Sequence, residues 1–496
     1  MKVMPQVRTR IAPSPTGFPH IGTIYQAMFD FTLAEKYAGQ FINRLEDTDQ
    51  VRLALGSEKV IYESLDWFGL IADEDPRIGG PYAPYRQSER LPIYQEHVQK
   101  LLDSKKAYYC FCTKERLAEM RRDQEAKKQP SMYDKHCLNL SIAEVKQKLA
   151  DGLSYVVRMK IPENQKIKFT DTLSGEIEFD SNLIDHQVIL KSDGFPTYHL
   201  AVVVDDYLMK VTHIFRGKEW IPSTPKHILL YHFLGWQDAI PKFTHLPLIL
   251  NEDGQGKLSK RFGHTSVDYY KQAGFLPEAI LNYLTNLVWN HPEGKEIYPF
   301  AEFQKAFDID SQKIVNISAL APRFNLKKLE WINGQYIRQM DNSKLKTQIC
   351  QYLQLVSDGK LDNPSPDDVE KVVPLIKERI KKLSDFTALT NFLWEEPKYD
   401  LEIFKQIKVA SQKQVMEKVI KSLESLGKSW NPEQFEGIFR DLAKELNIEV
   451  GDLFQLIRAA VSGQLVTPPL FESIKILGEE KTLRRIKNLL NSNLVF

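Results

Sequence analysis

Two separated segments carry side chains suited to a polyphosphate. In Pro19-His20-Ile21-Gly22 an imidazole able to donate a hydrogen bond stands two residues before a glycine, which lets a ligand lie against bare backbone. In Gly254-Gln255-Gly256-Lys257-Leu258-Ser259-Lys260-Arg261 a glycine turn delivers three cations and a hydroxyl. Such a loop can close over a triphosphate and place charge where the transition state develops it. It is not a P-loop, because Asn251 stands where the first glycine is required and Leu258 where Ser or Thr must follow the lysine. The candidate phosphate contacts are therefore His20, Gly22, Lys257, Ser259 and Lys260. A lone His-x-Gly is common and many basic loops are simply solvated, so the weight of these residues rests on what positions them.

The flanking pattern supplies that. Short β-favouring residues from Val7 break at Ala12-Pro13-Ser14-Pro15-Thr16-Gly17, a turn cluster that ends a strand. Ile24, Ala27, Met28, Phe31 and Ala34 then fall at helical spacing, and Gly39 stops the helix before a strand at Phe41. Strand, loop, helix, strand opens a parallel α/β sheet, and ligands of such sheets bind beyond the carboxyl ends of the strands. His20 accordingly sits where a loop becomes a helix N-terminus, whose free N–H groups favour an anion.

Further along, a charged helical stretch and β-like runs such as Tyr155 to Lys160 predict an inserted domain over 107–189. The α/β pattern resumes with Val188-Ile189-Leu190, Tyr198 to Val204 and His213-Ile214-Phe215, and strand signals nearly vanish beyond Asp268. The expected division is 1–106 and 190–267 for the two halves of a Rossmann-like domain, 107–189 for an α+β insertion, and all-helical regions over 268–330 and 331–496.

A chain of 496 residues is too long for one core, so several domains are expected. No apolar run approaches the roughly 18 to 20 residues of a membrane span, and no signal peptide opens the chain, which predicts a cytosolic, non-membrane protein. With 66 basic against 65 acidic residues, a uniformly cationic nucleic-acid binder is excluded and any RNA contact must be local. Candidate patches are Arg121, Arg122, Lys127 and Lys128; Lys377, Arg379, Lys381 and Lys382; and Lys481, Arg484, Arg485 and Lys487. Cys110, Cys112 and Cys137 cluster, which points to a metal or to reduced thiols rather than a disulfide framework.

Taken together, the two phosphate segments resemble the HIGH and KMSKS signatures of class I aminoacyl-tRNA synthetases. Arg10-Ile11-Ala12-Pro13-Ser14-Pro15-Thr16-Gly17, Arg44-Leu45-Glu46-Asp47-Thr48-Asp49, Tyr85-Arg86-Gln87-Ser88-Glu89-Arg90, Thr197-Tyr198-His199-Leu200 with Asp205-Asp206, and Arg216 with Glu219-Trp220 resemble the bacterial-type glutamyl branch. The likeness runs through Thr467-Pro468 and Leu470-Phe471-Glu472, over essentially the whole chain. Thr23 replaces the last signature histidine, and Leu258 and Arg261 depart from the second signature. Both departures are usual for this branch and shift weight onto His20, Lys257 and Lys260 as the catalytic phosphate contacts.

The resemblance implies an enzyme that activates L-glutamate with ATP and Mg2+ and loads it onto tRNA(Glu), with tRNA(Gln) left open as a second acceptor. It implies that Arg10 and Arg216 clamp carboxylates, that Glu46 takes the α-amino group, and that Tyr198, Ala12 and Ser14 supply shape and hydrogen bonds. A ligand with two carboxylates and one ammonium does need fixed cations and one acidic partner. Arg10 and Arg44 can equally be solvated strand residues, and Asp205-Asp206 can cap the following turn. The insertion would grip the acceptor end, the helical half would read the anticodon with Arg379 as a base contact, and the chain would be a monomer. Cys110, Cys112, Tyr133 and Cys137 resemble a Zn2+ site of some family members, although Asn139 stands where many place His and His136 lies nearby. Two rivals are a tRNA-independent paralogue, which lacks the helical half, and a catalytically dead RNA-binding module.

Overall fold

The computed structural model describes residues 6–258, 265–309, 317–318, 320–357, 364–427 and 430–492. They form two compact units, 1–269 with 280–325 and 270–279 with 326–496.

The first unit opens as the pattern predicts. Strand β1 (Arg8–Ile11) leads to helix α1 (Ile21–Lys36) and to β2 (Gln40–Asn43), which lies parallel to β1 with Arg8 opposite Gln40 and Ile11 opposite Asn43. Glycine is required between α1 and β2, since a Cβ on Gly39 would lie 2.1 Å from the Val7 carbonyl oxygen. Along the chain follow β3 (Ala107–Cys110), β4 (Val156–Met159), β5 (Lys166–Asp171), β6 (Gly175–Asp180), β7 (Val188–Leu190), β8 (His213–Gly217) and β9 (Lys242–Leu246). The Thr212 N–H donates to the Arg8 carbonyl at 2.9 Å, which sets the start of β8 beside β1, and β9 runs parallel to β8. Phe29 of α1 stacks on Phe215 of β8 with centroids 5.9 Å apart, fixing the helix across the sheet.

Within 107–189, β3, β4 and β7 form an antiparallel sheet. The β5–β6 hairpin instead extends the parallel sheet, with Asp171 opposite Phe243 of β9. The run from Tyr198 is a helix, Tyr198–Leu208. Its β-branched Val202, Val203 and Val204 are all buried, so packing overrides their local preference for strand.

The second unit is helical throughout its described residues. Its helices begin on sequence-readable caps: Asp341 accepts from Lys344 N at 2.8 Å, and Ser365 and Asn431 cap helices whose first residues are Pro366 and Pro432. Val369, Val372, Val373 and Ile376 bury one stripe of the Pro366–Ile376 helix, worth about 1.5–3 kcal/mol each. One candidate surface cation is corrected here. Arg485 is 1% exposed and donates to the Val461 and Glu395 carbonyls at 2.8 and 2.7 Å, so it serves the core and not a nucleic-acid patch.

Candidate active site

A cleft of about 810 Å³ opens at the carboxyl ends of β1, β8 and β9. Arg10, Ala12 and Ser14 enter it from β1 and the loop after it, His20 and Gly22 from the start of α1, and Glu46 from the segment after β2. Tyr198 comes from the first turn of its helix, Arg216 from β8, and Lys257 from a hairpin. Every described residue predicted for ATP or glutamate thus lines one cavity. Ser259 and Lys260 lie outside the described residues.

At the phosphate end His20 is the N-cap of α1, its Nδ1 accepting from the Gly22 N–H at 3.0 Å. In the neutral ring the proton is then on Nε2. A Cβ at Gly22 would stand 3.2 Å from that Nδ1, so a side chain there presses on the ring as well as on any ligand. The lysine segment is anchored on both sides. Leu258 N–H donates to Ile249 O at 2.9 Å before it, and after it Ile21 N–H donates to Thr265 O at 2.8 Å, next to His20. Lys257 itself pairs with Glu219.

The amino-acid end is a buried charge network. Arg10 donates from Nε to Asp206 at 3.1 Å, and Arg44 reaches the same carboxylate at 2.7 Å and Glu46 at 3.2 Å. Asp205 takes Arg90 at 2.7 Å, Gln87 at 2.9 Å and Tyr94 at 2.7 Å. Arg10 is 2% exposed and Arg44 is fully buried, so neither is a solvated strand residue, and Asp205 and Asp206 act as counter-ions through their side chains. Burial would raise Asp206, but Arg10 and Arg44 outweigh it and hold its carboxyl below the usual range. Glu46 is pushed up to about 7 by burial, against the pull of Arg44 and Arg10. Burial also pushes Asp30, near Arg10, well above the usual range. Three guanidiniums (Arg10, Arg44, Arg90) thus face three carboxylates (Asp205, Asp206, Glu46).

Arg216 stands apart from that balance. Its Nε donates to His245 Nε2 at 3.0 Å, Nη1 contacts His227 Nδ1 at 3.1 Å, and Nη2 donates to Thr224 at 2.7 Å. His245 Nδ1 lies 2.8 Å from Asp171. These four supporting residues escape a reading of the sequence, since no motif joins them to Arg216.

The profile of tRNA synthetases class I (E and Q), catalytic domain, matches residues 6–331, and an anticodon binding domain profile matches 344–490. A glutamate-tRNA ligase of Treponema denticola is 40% identical over 509 residues, covering 97% of this chain and 98% of the relative. One from Dehalococcoides mccartyi is 42% identical, covering 97% and 96%. The chain belongs to the glutamate-tRNA ligase family. A crystal structure of a glutamate tRNA ligase from Elizabethkingia meningosepticum, in complex with its amino acid, superposes with a TM-score of 0.83 at 33% identity, over 98% of this chain and 99% of that one. In a member of the glutamate-tRNA ligase family the parallel-sheet domain, with its cleft, is the class I catalytic fold and the helical half follows it.

Two predicted groups lie elsewhere. Arg379 is exposed on the second unit and donates to the Thr467 carbonyl at 3.1 Å. Cys110, Cys112 and Cys137 bring their sulfurs within 4.8 Å of one another. Cys112 and Cys137 are 3.6 Å apart, and the Tyr133 hydroxyl is 3.4 and 3.3 Å from Cys110 and Cys112. A tetrahedron with Zn–S near 2.3 Å has edges of about 3.8 Å, so this donor set fits zinc with Tyr133 as fourth ligand. His136 and Asn139 are exposed and outside that cluster. The other cluster of possible donors, His291, Glu293 and Glu302, already holds a cation: Lys295 bridges both carboxylates at 2.8 and 2.7 Å. No helix of the described residues is long and apolar enough to cross a membrane.

Proposed function

We propose that this chain activates L-glutamate with ATP and transfers it to the 3′-terminal adenosine of tRNA(Glu). The observation that carries the reading is one cleft joining His20 and Lys257 to a cation-rich pocket that also holds a carboxylate, Glu46. In the first step the α-carboxylate attacks the α-phosphorus of ATP, forming glutamyl-adenylate and releasing pyrophosphate. In the second a terminal tRNA hydroxyl, by family habit the 2′, attacks the activated carbonyl and AMP leaves.

His20 donates to phosphate, and Gly22 lets the nucleotide approach the helix N-terminus. Lys257 and Lys260 place positive charge against the triphosphate and Ser259 offers it a hydroxyl donor; Mg2+ arriving with ATP would neutralise part of the phosphate charge. For Lys257 to reach phosphate, its ion pair with Glu219 must open. Arg10 and Arg216 take carboxylates, Glu46 takes the ammonium, and Tyr198, Ala12 and Ser14 complete the pocket wall. Residues 107–189 receive the acceptor end, 268–330 contact the stem, and 331–496 read the anticodon, with Arg379 on a base. Cys110, Cys112, Tyr133 and Cys137 would hold Zn2+, which would tie the insertion together as a structural site. The enzyme is a cytoplasmic monomer, and tRNA(Gln) is a second acceptor to be tested.

The deciding assay is glutamate-dependent ATP/pyrophosphate exchange with and without tRNA, repeated with separated glutamate and glutamine isoacceptors. Exchange that appears with tRNA(Glu) is the expected result, and the glutamine isoacceptor then defines the range. No exchange under any condition would leave only an RNA-binding protein.

A further inference from the structure

Arg216 is 3% exposed, yet among the described residues no carboxylate pairs with it; its partners are two imidazoles and the hydroxyls of Thr224 and Tyr198. A guanidinium can only donate, so His245 Nε2 and His227 Nδ1 must both be unprotonated. The His245 proton is therefore on Nδ1, directed at Asp171, and the His227 proton on Nε2, 3.0 Å from His199 Nδ1. A second partner thus locks each ring in one tautomer. Burial, and then the Arg216 charge, hold His227 well below the usual range, and burial lowers His245 in spite of Asp171. His245, His227 and Thr224 take three of the five guanidinium N–H groups, and the hydroxyl of Tyr198, which lines the cleft with Arg216, is a further partner. A carboxylate in place of either imidazole would orient Arg216 equally well but cancel its charge. The cradle orients the cation and leaves its charge for a ligand.

We propose that His245, backed by Asp171, and His227, backed by His199, are positioning residues that hold Arg216, without a directly paired carboxylate, for a substrate carboxylate and so favour glutamate over glutamine. The proposal rests on the function proposed above and adds the means of selection. Asp171, the carboxylate behind His245, is held off the guanidinium by that ring, so the direct ionic contact of Arg216 is left for a ligand. Glutamate offers this cation a side-chain carboxylate, whereas glutamine offers only a neutral amide. Asp171 arrives on the β5–β6 hairpin, so this hairpin is tied to selection in the cleft.

The test compares His245→Met, which fills the volume without an acceptor, with His245→Gln, whose amide oxygen can stand where Nε2 stands. His227→Leu and His227→Asn form a second pair should the first fail to fold. Exchange is measured with tRNA against glutamate, glutamine and ATP, and crystal structures locate the guanidinium. The Met variant is expected to raise KM for glutamate about 10- to 100-fold, to leave KM for ATP unchanged and to narrow the glutamate preference. The Gln variant recovers most of the loss, with Arg216 back in place. A wild-type KM in His245→Met with Arg216 unmoved would overturn the proposal, as would a Gln variant as impaired as Met. Absence of exchange in the wild type would instead sink the proposed function, while the variant structures still decide whether His245 positions Arg216.

Discussion

Glu46 titrates at about 7 in the ligand-free cleft, and this makes substrate binding pH-dependent in a calculable way. Only the carboxylate form attracts the ammonium of glutamate. A group with a pKa near 7 is about 90% ionised at pH 8 and about 10% at pH 6, so KM for glutamate is expected to rise about tenfold on acidification over that range. The sign follows from the proton being a competitor: lower pH fills Glu46 and excludes the ammonium. Neither carboxylate of free glutamate titrates between these limits, and His199, His227 and His245 all lie below their ordinary value, with His199 lowered to about 4. Glu46→Gln should weaken glutamate binding by about 1.5–3 kcal/mol at pH 8 and abolish the slope. Stability moves the other way. Raised from 4.5 to about 7, the buried carboxylate disfavours the folded state by about 3 kcal/mol at pH values above 7, a cost absent below 4.5. The variant should therefore be no less stable than wild type at pH 8, which separates lost binding from lost fold. The assay is steady-state exchange at saturating ATP, Mg2+ and tRNA from pH 6 to 8, beside thermal melts. A flat KM profile in the wild type, or an undiminished slope in Glu46→Gln, would refute the reasoning.

Arg10→Ala removes one of the two cations assigned to the carboxylates of glutamate, so discrimination against glutamine should collapse; wild-type discrimination in a steady-state assay counts against it. Lys260→Ala should slow adenylate formation far more than it weakens glutamate binding, which single-turnover kinetics can separate. Metal analysis should find about one zinc ion per chain, lost together with thermal stability in Cys137→Ala; a metal-free, equally stable wild type would leave three reduced thiols. Arg379→Ala should lose protection of the anticodon loop in tRNA footprinting, and unchanged protection would remove that contact.

The parts of the site that lie close together in sequence were legible there. Turn residues after β1, apolar spacing in α1 and the Gly39 stop all act within a few residues, so the pattern Val7 to Phe41 dictates a strand, a loop and a helix whose N-terminus carries His20. The glycines around Lys257 are of the same kind: Gly254 and Gly256 adopt φ of 77° and 79°, which a turn there requires. The alternation from Lys166 to Asp180, within the expected insertion, shows only a hairpin. Which sheet it joins depends on a single register, Asp171 beside Phe243, that no local pattern encodes.

The same limit explains why the Arg216 cradle stayed hidden while Arg216 itself did not. Asp171, Thr224, His227 and His245 come from a hairpin, a helix and a neighbouring strand, and meet only because β5, β9 and β8 lie side by side. A histidine on a strand reads as an ordinary core residue until the partner of each ring nitrogen is known. Asp205 and Asp206 illustrate the converse. Adjacent carboxylates near a helix end suggest a cap, and only burial among Arg10, Arg44 and Arg90 makes them counter-ions. Net charge along the chain is nearly balanced and so uninformative about substrate, whereas the partner of each buried guanidinium is decisive. Where that partner is a carboxylate, as at Arg10, a ligand shares the cation with it, and where it is a neutral imidazole held in one tautomer, as at Arg216, the direct ionic contact is left for the ligand.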